Sequence, residues 1–253
     1  IRFLIRNKIK FGCQKSLLRN SLMNKSLILK LDNIYSSYGN IQVLNGVNLQ
    51  VRKGEIVSLL GRNGMGKSTT VKSICGILKP HLGNIEFISV KIIGMQSYKI
   101  ARLGVGLVPE GRRIFANLTV KENLIGSSIK GYWDLDKILT LFPIFKERLS
   151  QLSSNLSGGE QQMLAIGRAL MTNPSLLILD EATEGLSPVI SQKIWNVLRK
   201  VSNEGISILI IDKISQELKD VSNYSYILER GKSVWSGKLS GISSDDSKLF
   251  LGV

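Results

Sequence analysis

Gly61-Arg62-Asn63-Gly64-Met65-Gly66-Lys67-Ser68-Thr69 follows the apolar run Glu55-Ile56-Val57-Ser58-Leu59-Leu60 and precedes a helix-like stretch over 70–78. The spacing G-x-x-x-x-G-K-S between a strand and a helix is that of a loop that cradles phosphates. Glycines have no Cβ, so backbone N–H groups can close around phosphate oxygens. The positive end of the following helix dipole points at the same place. All nine residues from Gly61 to Thr69 are therefore candidate nucleotide contacts. Lys67 is placed to reach the β- and γ-phosphates, and the Ser68 hydroxyl to ligate Mg²⁺.

A second signal is Leu176-Leu177-Ile178-Leu179-Asp180-Glu181. Four apolar residues predict a buried strand whose C-terminal end releases two acids, where open α/β sheets place ligands. Asp180 is a candidate Mg²⁺ ligand, and Glu181 a candidate for orienting or deprotonating an attacking water. Read alone, the pair could equally be solvated acids capping a helix. A third signal, Leu156-Ser157-Gly158-Gly159-Glu160-Gln161-Gln162, opens a helical run with a good N-cap and two glycines. It reads either as a further anion site or as simple capping.

Around these motifs, strand-length apolar segments fall at 27–31, 47–51, 56–60, 84–87, 105–108, 176–179 and 208–211. The last three are nearly continuous in apolar residues, as strands covered on both faces of a parallel sheet are. Helical patterns lie at 157–171 and 188–203, which together with the strands predicts an α/β fold with right-handed crossovers. Residues 111–155 differ. Thr119 with Glu122 forms a capping box, and 134–141 and 143–152 have helical patterns, so this stretch is expected to be an inserted helical subdomain. A hairpin turning at Arg230-Gly231-Lys232 is expected in the tail.

Bulk properties narrow the classes. Hydrophobic content of 43% and charged content of 21% are those of an ordinary globular domain. No apolar run is long enough to cross a bilayer. Cys13 and Cys75 form no metal-ligand spacing, which fits a reducing compartment, and His81 after Pro80 reads as a solvated loop residue. The net charge of +15 raises a nucleic-acid reading. Yet residues 1–25 hold seven basic side chains and no acid; without them 27 Lys+Arg face 19 Asp+Glu, a net of +8. Aromatic content is 6% and no basic-aromatic patch is evident, so no nucleic-acid partner is expected. The leader 1–25 is expected to lie outside the fold, which would span 26–253. It is either translation upstream of a start at Met23 or a basic targeting segment, though it lacks an apolar stretch with a small-residue cleavage site.

With these motifs together, the chain resembles the ATP-binding cassette (ABC) ATPases, whose signature is L-S-G-G-E-Q-Q. The resemblance implies a P-loop NTPase fold with a RecA-like core, an antiparallel β subdomain and an inserted helical subdomain. It implies ATP and Mg²⁺ as cofactors and a head-to-tail dimer with a second ABC ATPase subunit. Ser157, Gly158 and Gly159 would then contact the γ-phosphate bound by the partner, and Tyr38 would stack on adenine. The text Val108-Pro109-Glu110-Gly111-Arg112-Arg113-Ile114-Phe115, with 118–124 and 159–171, is most similar to the branch that powers branched-chain amino acid importers. That implies membrane permease subunits as partners, a periplasmic solute-binding protein indirectly, and a peripheral position on the cytoplasmic face of the inner membrane.

The chain departs from the family pattern at several places. Glu110 stands where most members carry a Mg²⁺-sensing glutamine; a carboxylate can also ligate Mg²⁺, so Glu110 stays a nucleotide and metal candidate. Ala182 replaces a common proline, which should loosen the turn after Glu181, and Ser187 replaces a common aspartate. Lys213 occupies the place of a switch histidine. It is either a point charge on the γ-phosphate, hence catalytic beside Lys67 and Glu181, or a solvated residue at a strand end. The expected function is an ATP-hydrolysing transport subunit. The alternatives are a regulatory cassette with weak hydrolysis, or a subunit moving urea, lipid or lipopolysaccharide.

Overall fold

A computed structural model describes residues 26–251; the leader expected at 1–25 lies outside the described residues. The apolar runs become two sheets. Strands β1 (Leu27–Tyr38), β2 (Ile41–Arg52), β4 (Leu82–Phe87) and β5 (Val90–Lys91) form an antiparallel sheet in the order β2-β1-β4-β5. Strands β3 (Ile56–Leu60), β6 (Val105–Val108), β7 (Leu176–Asp180), β8 (Ser207–Ile211), β9 (Tyr224–Glu229) and β10 (Lys232–Gly237) form the second, in the order β10-β9-β3-β8-β7-β6. Only the β9–β10 pair of this sheet is antiparallel, and it is the expected hairpin.

Alternation within the central strands divides the interior in two. Leu177, Leu179, Ile208 and Ile210 join a cluster with helices α5 (Gly158–Leu170) and α6 (Pro188–Asn203). Leu176, Ile178, Leu209 and Ile211 face the other way, into a cluster with the antiparallel sheet. All eight are 0% exposed, which is why these strands read as unbroken apolar runs. Each such side chain contributes roughly 1.5–3 kcal/mol through burial. The sheet is thus a rigid floor, and its C-terminal strand ends carry the loops after β3 and β7.

Further helices are α1 (Lys67–Ile74), α2 (Ser97–Arg102), α3 (Val120–Ile125), α4 (Leu135–Leu141) and α7 (Gln216–Val221). The capping box predicted at Thr119 and Glu122 is formed: Glu122 N donates to Thr119 Oγ1 at 3.2 Å and Thr119 N to Glu122 Oε2 at 2.8 Å. The helix expected over 143–152 is not. A 3-10 turn covers Pro143–Phe145 and the chain then continues in turns. The segment is closed by i→i−3 bonds, Lys146 N to the Pro143 carbonyl, Arg148 N to that of Phe145 and Gln151 N to that of Arg148, while the amides of Val120 and Lys121, orphaned at the start of α3, take the carbonyls of Gln151 and Leu149 at 3.0 Å each. Buried Asn123 locks the same region: its Nδ2 donates to the carbonyls of Phe115 and Thr119 at 3.0 Å and to Ser153 Oγ at 3.1 Å. No helix among the described residues is long and apolar enough to cross a membrane.

Candidate functional site

The loop after β3 is shaped by contacts that leave glycine no substitute. Gly61 has φ +142°, and a Cβ there would lie 2.4 Å from the Leu228 carbonyl oxygen. Gly66, the N-cap of α1, has φ +99°, and a Cβ there would meet Leu44 Cδ2 at 2.8 Å. No side chain caps this helix, and its first turn has no acid, so the dipole end stays uncompensated. Lys67 folds back over the loop, donating to the carbonyls of Gly61 at 2.7 Å and Arg62 at 3.0 Å. Burial holds its pKa below the ordinary lysine value, against the opposing pull of Glu181 and Asp180.

A cavity of about 520 Å³ opens over the loop, lined by Val43, Asn63, Gly64, Gly66, Lys67, Ser68, Thr69, Glu110, Glu181 and Glu184. Asp180, 6% exposed, accepts a hydrogen bond from Ser68 Oγ at 3.3 Å. Burial raises its pKa, an effect a cation at that place would reverse. Among the described residues no group of three or more His, Cys, Asp or Glu could hold a metal by itself. A Mg²⁺ here would need phosphate oxygens and water to complete its octahedron, with Ser68 and Asp180 as the protein's share. The bare amides, the ammonium and the hydroxyl–carboxylate pair fit a magnesium-bound phosphate chain.

Glu181 leaves β7 in the left-handed region, φ +57°, unusual for a residue with a long side chain. Its amide donates to the Ile211 carbonyl at 2.7 Å. Two residues on, Thr183 donates through N at 3.1 Å and Oγ1 at 2.7 Å to Asp212, which is itself buried. The turn expected to loosen at Ala182 is thereby pinned to β8, and Ala182 is 1% exposed. The neighbouring Glu184 carboxyl, with burial, pushes the pKa of Glu181 up to about 7. Glu184 is in turn held below the usual carboxylate range by Glu181 and by Lys213. Lys213 Nζ donates to Glu184 Oε1 at 2.5 Å.

The structure gathers Asn63, Gly64, Gly66, Lys67, Ser68, Thr69, Glu110 and Glu181 around one cavity, with Asp180 beneath. Gly61, Arg62 and Met65 shape the loop from behind. The side chain of Arg62 turns to the carbonyls of Lys248 and Leu249, and Met65 Sδ accepts from Arg230 N at 3.2 Å. Like Gly61, Arg62 and Met65, two further expected contacts, Tyr38 and Lys213, do not line the cavity. Tyr38 stands exposed with Lys72 Nζ 5.5 Å from its ring centroid. Lys213 is turned onto Glu184. Ser157, Gly158 and Gly159 begin α5, where Ser157 and Glu160 complete a second capping box. Cβ atoms on the two glycines would meet Arg112 Nη1 at 2.5 Å and Ile190 Cγ2 at 2.6 Å. Sequence reading missed Glu184, Asp212 and Gln162, whose buried Nε2 has no partner among the described residues and which lines an adjoining cavity with Glu110, Glu181 and Glu184. An acid three residues after Glu181 was the available signal for Glu184. For Asp212 and Gln162 the sequence offered none.

Comparison with known proteins agrees with this geometry. Residues 44–184 match the family model described as ABC transporter. A high-affinity branched-chain amino acid transport ATP-binding protein, BraG of Pseudomonas aeruginosa, is 41% identical over 82% of this chain and 91% of its own. A probable branched-chain amino acid transport ATP-binding protein, LivF of Archaeoglobus fulgidus, is 30% identical over 89% of this chain and 99% of its own. An ATP-binding cassette solved as a dimer in a post-hydrolysis state with ADP and phosphate superposes with a TM-score of 0.75 at 25% identity, covering 85% of this chain and 100% of that one. With the phosphate loop, the acid-tipped strand and the signature helix in one fold, the chain belongs to the ABC transporter ATP-binding family.

Proposed function

We propose that this chain binds and hydrolyses ATP to power an importer of branched-chain amino acids. The observation that carries the reading is the cavity over the phosphate loop, where Lys67, the Ser68–Asp180 pair at 3.3 Å and Glu181 converge. In this reading the loop amides and Lys67 bind the β- and γ-phosphates, and Glu181 orients the attacking water and accepts its proton. Ser68 and Asp180, with Glu110 beside them, would hold Mg²⁺, which when bound screens the phosphate oxygens. Ser157, Gly158 and Gly159 lie outside this chain's own cavity, which supports their serving the nucleotide of a second ATPase subunit. Tyr38, exposed at the end of β1, is available to stack on adenine.

The amino-acid assignment rests on the 41% identical relative. Membrane permeases and, through them, a periplasmic binding protein would be the partners, and the cytoplasmic face of the membrane the location. Titration of the purified chain with ATP, with and without Mg²⁺, is the direct test. Retention at millimolar ATP is expected; no binding would end the reading. Co-purification with two permeases and a second cassette would fix the transport task. A second reading, a regulatory cassette with weak hydrolysis, draws on Lys213 facing Glu184 instead of the cavity.

A further inference from the structure

Lys213 is the chain's largest departure from its family's pattern, and its ammonium is paired with Glu184. The Lys213 ammonium lies 2.5 Å from the Glu184 carboxylate, and Glu184 lines the cavity over the phosphate loop side by side with Glu181. An ion pair as exposed as this one, 67% and 42%, is normally loose, because two long side chains must be ordered to form it. Here the backbones beneath it are already tied together. Asp212 accepts from Thr183 N, Thr183 Oγ1 and, at 2.8 Å, the Lys213 amide, while Glu181 N donates to the Ile211 carbonyl. The turn that carries Glu184 and the strand end that carries Lys213 are therefore one cross-linked unit, although the two residues are 29 positions apart. Glu184 also lines both the cavity over the phosphate loop and the smaller one beside it.

We propose that Glu184 is a positioning residue for ATP hydrolysis, joining Lys213 to Glu181 so that Lys213 steadies the carboxyl that faces the attacking water and does not itself touch the γ-phosphate. The reason is electrostatic. Two carboxylates on one cavity wall repel when both are charged, and Glu181 would swing away from the cavity. The ammonium on the far side of Glu184 offsets that repulsion and keeps both acids in place. Lys213 thus does by way of a second side chain what a direct phosphate contact does elsewhere.

This inference rests on Glu181 acting on the water, so its test includes Glu181→Gln as a separate arm. Steady-state hydrolysis and equilibrium ATP binding would be measured on the full chain assembled with its transporter for Glu181→Gln, Glu184→Gln, Lys213→Met, Lys213→Arg and the double variant Glu184→Gln/Lys213→Met. The expected result is that Glu184→Gln and Lys213→Met each lower kcat about tenfold with KM and ATP affinity within about twofold of the parent. The double variant should be no slower than the worse single, because both break one line of contacts. Lys213→Arg should recover most of the turnover. Thermal unfolding of each variant should stay unchanged, since both side chains lie at the surface. Unchanged kcat in both single variants, alongside a collapse in Glu181→Gln, overturns the proposal while leaving the role of Glu181 standing. A raised KM with unchanged kcat in Lys213→Met also overturns it, because that marks direct phosphate binding. Unchanged turnover in Glu181→Gln removes the underlying reading and the proposal with it.

Discussion

Two helices of this protein begin with glycine-rich text, and they treat their free amides in opposite ways. Helix α1 starts at Lys67 after a left-handed Gly66, with no side-chain cap and no acid in its first turn. Helix α5 starts at Gly158 behind Ser157, and a capping box with Glu160 occupies the amides of Ser157 and Glu160. Glu160 further pairs with Arg148 at 3.1 Å. The first terminus keeps its donors for a ligand; the second has used part of its set and carries a negative charge. A glycine-rich helix start is therefore not by itself an anion site. What separates the two is whether the chain has capped its own helix, and the structure makes α5 a weaker anion site than its glycines alone imply.

The comparison can be broken most severely at Lys67. Lys67→Ala should lower hydrolysis by roughly 10²–10³-fold and weaken ATP binding, whereas Ser157→Ala should leave the ATP affinity of the isolated chain unchanged and cost about 1 kcal/mol of stability. Calorimetric titration and urea unfolding read these out, and an equal loss of affinity in both variants would erase the distinction. Next in size is the glycine pair Gly61 and Gly159. Gly61→Ala combines positive φ with a backbone oxygen at 2.4 Å and should cost on the order of 3 kcal/mol with loss of nucleotide binding. Gly159→Ala meets only the Ile190 side chain, at 2.6 Å, and should cost about 1–3 kcal/mol as overpacking.

The pH response sharpens the chemistry on the α1 side. In the proposed mechanism Glu181 must be ionised to accept a proton, and its pKa is pushed up to about 7 first by Glu184 and then by burial. The ratio kcat/KM should therefore rise through pH 7 and level off above it. Glu184→Leu removes the largest cause and should move that rise to lower pH, which a pH–rate profile would detect. Stability has the opposite sign: the extra proton held by the folded state favours folding below pH 4.5, the group's ordinary value, and this support is lost as pH climbs to about 7. The smallest effect is expected at Glu160. Glu160→Gln keeps a hydrogen-bonding side chain at the box but removes the charge, and should shift stability by about 0.5 kcal/mol.

Much of this was legible in the sequence. The runs 56–60, 105–108 and 188–203 match β3, β6 and α6 residue for residue, because burial on both faces and a proline at the helix start leave local marks. The phosphate loop was legible because its glycines are fixed by spacing. The relation of Lys213 to Glu184 was not, since it exists only once β8 lies beside β7. Nor was the loss of the helix expected over 143–152, since the turns that replace it end in a bridge between Leu152 and Thr119, far apart in sequence.

The phosphate loop also leans on the far end of the chain. Gly231 N donates to the Met65 carbonyl at 3.1 Å, Asn45 N donates to the Gly231 carbonyl at 2.8 Å, and the Leu228 carbonyl packs on Gly61. During synthesis on the ribosome, every residue of the nucleotide cradle emerges long before the hairpin that braces it. A nascent chain stopped short of Gly231 would carry the complete set of motifs and still lack the hydrogen bonds that brace its loop.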